Sequence, residues 1–116
     1  MLAMLVCSCS NEGLLRAAFA LRGATEAQQN DAVKVGKCES GPELDAHAVG
    51  GSSVGIMQIN WAPGAQRARV IRLGYTREDL FDPWINAWVA ADLWVDLGRR
   101  FGSSAGWSCA RIVGVR

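Results

Sequence analysis

Lys37-Cys38-Glu39-Ser40-Gly41, followed downstream by Gly55-Ile56-Met57-Gln58-Ile59-Asn60, is the part of the chain on which its reading turns. Glu39 stands where a helical pattern runs out, and Gly41-Pro42 breaks that pattern at once. The second segment is a Gly-led turn carrying a thioether and two amide side chains. A carboxylate at a helix C-terminus is electrostatically unfavourable, because the aligned peptide dipoles leave negative partial charge there. Burial against apolar neighbours raises a glutamate pKa, and Cys38, Met57 and nearby tryptophans are candidates for such a wall. Glu39 therefore reads either as an acid held for proton transfer or as one more solvated charge at a helix end.

Upstream, Leu14, Leu15, Ala18, Phe19 and Leu21 form an apolar stripe at helical spacing, stopped by Gly23. Thr25 with Gln28 three residues on predicts a capping box that opens a second helix, with Ala32, Val35 and Cys38 on one face and Glu39 at its end. Glu43 to Ser53 is polar and glycine-rich, with neither helical nor strand period. Downstream of Asn60, Pro63 opens a helix that runs to Gly74, with a thin apolar face and Arg67, Arg69 and Arg72 around it. These arginines, with Arg77, read as a solvated helix face. Thr76 and Asp79 cap a short turn through Leu80. Asp82-Pro83 starts what reads as the longest helix, whose two adjoining apolar stripes (Trp84, Trp88, Ala91, Val95 and Ala87, Ala90, Trp94, Leu97) place it in the middle of the domain. Gly98 ends it, and Phe101 to Gly106 reads as a flexible turn delivering Trp107 and Cys109. Ser52 to Ile59 is the one place for a short ribbon. The expectation is an all-α domain of four or five helices around a central Trp-rich helix.

At 116 residues the chain is long enough for one domain with a single modest core. Half of the residues are apolar and the formal charge is +1, which argues against disorder and against a strong pull toward nucleic acid. Five tryptophans suit either core bulk or flat platforms for sugar rings. The cysteines, Cys7, Cys9, Cys38 and Cys109, lack zinc-site spacing, and His47 is the only histidine and reads as a surface loop residue. Met1 to Val6 is apolar but too short to span a bilayer, and it has neither a basic start nor a clear cleavage site. Residues 1–12 are read as a flexible or leader segment and 13–116 as the domain.

The two opening motifs, in this order and spacing, resemble the lysozyme-like family of lytic murein transglycosylases and muramidases, in its short actinobacterial or phage form. That family carries Glu-Ser at a helix end and Gly-(Leu/Ile)-Met-Gln-(Ile/Leu) downstream, matched here by Glu39-Ser40-Gly41 and Gly55 to Asn60. The resemblance runs from about Gly13 to Cys109 and implies a lysozyme-like fold. It implies that Glu39 protonates the departing oxygen of the β-1,4 bond between N-acetylmuramic acid and N-acetylglucosamine in peptidoglycan. Gln58 and Asn60 would hydrogen-bond the N-acetyl and hydroxyl groups of a bound sugar, for which amides supply donors and an acceptor at once. Ser40, Met57 and Trp107 would line the same cleft. The resemblance also supports a Cys38–Cys109 disulfide, since such members have Cys before the Glu and a closing Trp-Ser-Cys, here Trp107-Ser108-Cys109. That bridge would close a loop of about seventy residues and restrict the unfolded chain by about 4 kcal/mol. It would also place the chain outside the cytoplasm, secreted or associated with a cell wall or virion.

In lytic transglycosylases a single Glu acts first as acid and then as base, and the C6 hydroxyl of the sugar attacks to leave a 1,6-anhydro end. The alternative within the same chemistry is a hydrolytic muramidase, for which Asp45 is the candidate second carboxylate. A catalytically silent wall-binding module and a small tail-associated protein are the alternatives of another class. The expected partner is the glycan strand of peptidoglycan, with no nucleic acid, no stable membrane insertion, no cofactor, no metal and a monomeric chain. Three departures from the family pattern stand out. Pro42-Glu43-Leu44-Asp45 replaces the usual aromatic-Asn-Pro. Ala-Tyr-Asn is absent, and an Asp-Pro-x-x-Asn-x-x-x-Ala pattern from Asp82 to Ala90 stands instead. A single Trp107 replaces paired tryptophans.

Overall fold

The structure is a computed structural model and describes residues 10–116. The segment Met1 to Val6 and the cysteines Cys7 and Cys9 lie outside the described residues. Helix α1 (Asn11–Leu21) is capped by Ser10, whose hydroxyl accepts the Gly13 N–H at 3.0 Å. The domain boundary expected at Gly13 thus falls inside this helix, and Asn11 already anchors to the body by donating its amide to the Leu44 carbonyl at 2.9 Å. Leu15, Ala18 and Phe19 are its buried face.

Helix α2 (Glu26–Ser40) opens on the expected capping box: Thr25 Oγ1 accepts the Gln28 N–H, and Gln28 Oε1 accepts the Thr25 N–H. Its buried face is Ala32, Val33, Val35 and Gly36, and Cys38 is exposed. Three two-residue strands follow, β1 (Val49–Gly50), β2 (Ser53–Val54) and β3 (Ile59–Asn60), paired antiparallel in the order β1-β2-β3. Val54 faces Val49 on one side and Ile59 on the other. The β2–β3 pair falls on the short ribbon expected over Ser52 to Ile59, while β1 extends it into a small sheet that departs from the all-α expectation. Strands this short have no room for alternation, so only the pairing reveals them.

Helix α3 (Ala65–Arg72) starts two residues after Pro63, on an N-cap glycine that lacks a side-chain cap. A 3₁₀ turn (Glu78–Phe81) leads into helix α4 (Pro83–Asp96), where Asp82 accepts the N–H groups of Trp84 and Ile85 with Pro83 in the first turn. Helix α4 is one residue shorter than α2 but is the more buried, through Asn86, Ala87, Val89, Ala90, Ala91, Leu93 and Trp94. A last helical turn, α5 (Cys109–Ile112), was not foreseen. Among the described residues the architecture is thus mostly helical, five α-helices with one small sheet.

Phe19, Trp94, Phe101 and Trp107 form a continuous aromatic cluster with ring centroids 5.3–5.9 Å apart. Phe101 is therefore a core residue, not part of a flexible turn, and its segment is held by the Trp107 N–H to Phe101 carbonyl bond at 2.8 Å. Arg69 also departs from expectation. It is buried and forked onto Asp92 and Asp96, one turn apart on α4, while Arg22 holds the other oxygen of Asp92 at 2.9 Å. Arg67 lies over Trp61 and Arg77 over Phe81. No helix among the described residues is long and apolar enough to cross a membrane.

Candidate active site

The site begins with how α4 holds the Gly55–Asn60 turn. Asn86 is fully buried in the most apolar helix and uses its whole amide on backbone: Oδ1 accepts the Met57 N–H, and Nδ2 donates to the carbonyls of Val54 and Leu80, each at 2.9 Å. The turn passes so close that a Cβ on Gly55 would lie 2.1 Å from Asn86 Nδ2 and 2.4 Å from the Leu80 oxygen. Gly55 also has φ +82°, so both space and conformation require glycine there. The Met57 carbonyl then accepts the indole N–H of Trp107 at 2.7 Å. A single chain of hydrogen bonds therefore runs from α4 through the turn to the C-terminal segment.

Glu39 comes to this assembly from the end of α2. Gly41 N–H closes the helix on the Lys37 carbonyl, and Ser40 Oγ donates back to the Gly36 carbonyl at 3.1 Å. The Glu39 side chain is half-buried, and its Oε2 accepts the Cys109 N–H at 3.3 Å. Cys109 is held there by its disulfide to Cys38, with Cα atoms 5.9 Å apart. Burial pushes the Glu39 carboxyl above its ordinary value, and the Cys109 N–H opposes part of that rise.

Gln58 shares the cleft with the acid from the turn between β2 and β3. Its backbone is left-handed, φ +48°, a conformation costing about 1 kcal/mol or more for a residue with a Cβ. The amide compensates: Nε2 donates to the carbonyls of Ala48 and Gly55 at 3.1 and 3.0 Å. Its oxygen lies over Gly50, where a Cβ would approach to 2.6 Å. Asn60 accepts the Ala62 N–H with Oδ1, and its backbone N–H donates to Gln66 Oε1 at 2.8 Å. Gln66 in turn donates to the Ala105 carbonyl at 3.1 Å and so ties β3 to the C-terminal loop.

These residues enclose a cleft of about 130 Å³ lined by Glu39, Ser53, Gln58, Asn60, Gln66, Gly106, Trp107 and Ser108. A second hollow of about 270 Å³, between the start of α3 and the Ser104–Gly106 loop, shares Asn60, Gln66 and Gly106 with it. The two adjoin as one groove. Among the described residues Glu39 is the only charged side chain lining either part; the rest are amides, hydroxyls, small residues and one indole.

Four of the residues singled out in the sequence thus meet around one cleft: Glu39, Gln58, Asn60 and Trp107. Trp107 does so as a wall, only 4 % exposed, and not as an open stacking platform. Met57 is fully buried instead, its sulfur facing the Gly36 backbone one turn before the acid. Ser40 is tied to its own helix. Asp45 is exposed and lines neither hollow, and its carboxylate accepts the His47 N–H at 2.9 Å in a local turn. Ser53 and Gln66 carried no signal, being ordinary polar residues outside any motif, and Ser108 was named only as the middle of the closing Trp107-Ser108-Cys109. Asn86 did carry one, as the sole amide in an apolar helix. Among the described residues no cluster of His, Cys, Asp and Glu comes together as a metal site. The chain matches no family model, and neither a curated protein nor a solved structure is significantly similar to it.

Proposed function

We propose that this chain is a lysozyme-like domain that cleaves the β-1,4 linkage between N-acetylmuramic acid and N-acetylglucosamine in peptidoglycan, by the single-Glu route of a lytic transglycosylase. One observation carries the reading: a half-buried carboxyl, pushed toward its protonated form by burial, is among the described residues the one charged group of a groove otherwise lined by amides, hydroxyls, small residues and an indole. Such a lining suits an uncharged polyol with N-acetyl groups. It offers no cation for the phosphates of a nucleic acid.

In this reading Glu39 donates its proton to the glycosidic oxygen as the C1–O bond breaks, with the substrate's own N-acetyl oxygen supporting the developing positive charge. The resulting carboxylate then takes the proton of the C6 hydroxyl as that oxygen bonds to C1, which closes the 1,6-anhydro ring and returns Glu39 to its acid form. In this reading the amides of Gln58 and Asn60, which line the cleft, receive sugar polar groups. Direct hydrolysis by two carboxylates needs the second at about 5–9.5 Å from the first. Asp45 is spent on its own turn, so the one-carboxylate route is favoured. The disulfide suits an extracytoplasmic, wall-facing location.

The test is mass analysis of fragments released from purified murein. Anhydro ends are expected, and Glu39→Gln should lower their release by about 10²–10⁴-fold. Reducing ends would shift the reading to hydrolysis. No release by wild-type protein, or full release by the Gln variant, would overturn it.

A further inference from the structure

The Cys38–Cys109 bridge is placed in an unusual relation to Glu39. One of its cysteines precedes the acid in sequence, and the other supplies the backbone N–H that the acid accepts. It also joins the end of α2 to α5, a single turn with no side-chain cap, reached through the Phe101–Ser108 segment. Cys38 is exposed, whereas Cys109 is buried. A soluble thiol therefore has an open side from which to attack.

We propose that this disulfide is a redox-sensitive positioning device for Glu39: it presents the Cys109 N–H to Oε2, and reduction by a dithiol withdraws that donor and slackens the acid. The step is a two-electron exchange. A dithiol is oxidised to its own disulfide, the Cys38–Cys109 bond breaks, and each sulfur leaves as a thiol carrying one proton. The proposal rests on the catalytic reading only for its effect on turnover; the coupling between bridge and carboxyl is a property of the fold.

Among the described residues no other charge competes for Glu39. The cleft residues facing it from the sheet, α3 and the C-terminal segment are Ser53, Gln58, Asn60, Gln66, Trp107 and Ser108, all neutral. On its own helix, Lys37 is paired with Glu12 at 3.3 Å, and Arg111 on α5 is exposed. Burial and the Cys109 N–H are left as the two opposed influences on the carboxyl. Loss of the hydrogen bond that favours the charged form leaves burial unopposed and raises the carboxyl pKa further.

The experiment is a ¹³C NMR titration of the Glu39 carboxyl, assigned by its absence in Glu39→Gln. It is run on oxidised protein, on dithiol-reduced protein and on the Cys38→Ala/Cys109→Ala variant. The reduced and Ala forms should titrate at higher pH than the oxidised form. In the murein assay they should release fragments about 10–100-fold more slowly, with the double variant indifferent to dithiol. Equal titration in folded oxidised and reduced protein overturns the proposal. So does a shift downward to the ordinary glutamate value, because it would show that reduction only opens the structure. An upward shift without murein cleavage by any form supports the coupling and sinks the catalytic reading instead.

Discussion

Asn86→Ala should unseat the turn that faces Glu39, and the cost can be worked from three bonds. The variant leaves the Met57 N–H and the carbonyls of Val54 and Leu80 without their partner in a fully buried site. Each buried backbone group left unpaired costs about 1–3 kcal/mol. A water entering the vacated polar space recovers part of this, so the net loss is about 3–5 kcal/mol. Against a typical stability of about 5–15 kcal/mol that is severe. For a domain of this length it lowers the melting temperature by roughly 12–20 °C. Asn86→Asp keeps the acceptor for Met57 but turns an oxygen toward two carbonyls. It should be no better than Ala at neutral pH and should improve on acidification, as the carboxyl gains a proton to donate. Circular-dichroism melts with the disulfide intact measure both. An Ala variant within about 1 kcal/mol of wild type would refute the claim that this amide holds the turn.

Two further outcomes concern charge. The folded Glu39 carboxyl lies above its ordinary value of 4.5, so the folded state binds the extra proton between that value and its own raised one. Stability must then fall as pH rises through that window, and Glu39→Gln, which cannot ionise, should match wild type below it and exceed it above. Melting both proteins across the range checks this; parallel curves would show that the acid is unperturbed. Arg69→Ala strands Asp92 with Arg22 as its remaining partner and removes buried stem packing, a loss of about 2 kcal/mol given the exposure of Asp96. Arg69→Met should regain the packing part, and urea unfolding separates the two contributions.

The helices were legible because their signals are local. Thr25 with Gln28, and Asp82 with Pro83, announce helix starts within four residues, and the structure uses both as caps. The sheet was legible only in part: the ribbon expected over Ser52 to Ile59 is where β2 and β3 pair, but β1 lies outside it, and the six paired residues spread over Val49 to Asn60 carry no period. Arg69 was misjudged for the same physical reason. Its neighbours Arg67 and Arg72 read as solvated, and only the folded chain brings Asp92 and Asp96 across to it. Within the site, the acid and the Gln-x-Asn turn could be named in advance, but not which side chains face the cleft. Met57 and Gln58 are adjacent and point to opposite sides, one into core and one toward Glu39. Gln66 and Ser53 reach the cleft through packing between elements, which no spacing in the sequence encodes.

The Cys38–Cys109 link has a topological consequence. With the intervening backbone it makes a covalent ring, and every residue lining the groove from Glu39 to Ser108 lies on that ring. Helix α1 and most of α2 hang outside it as a tail, as does the chain beyond Cys109. A protease that cuts once within the ring, for instance in the exposed Gly51-Ser52 tip, opens the circle without separating the pieces. The acid and the opposing wall stay tethered through sulfur, so a nicked molecule keeps both halves of its groove in one particle. Two cuts within the ring are needed to release a fragment of it.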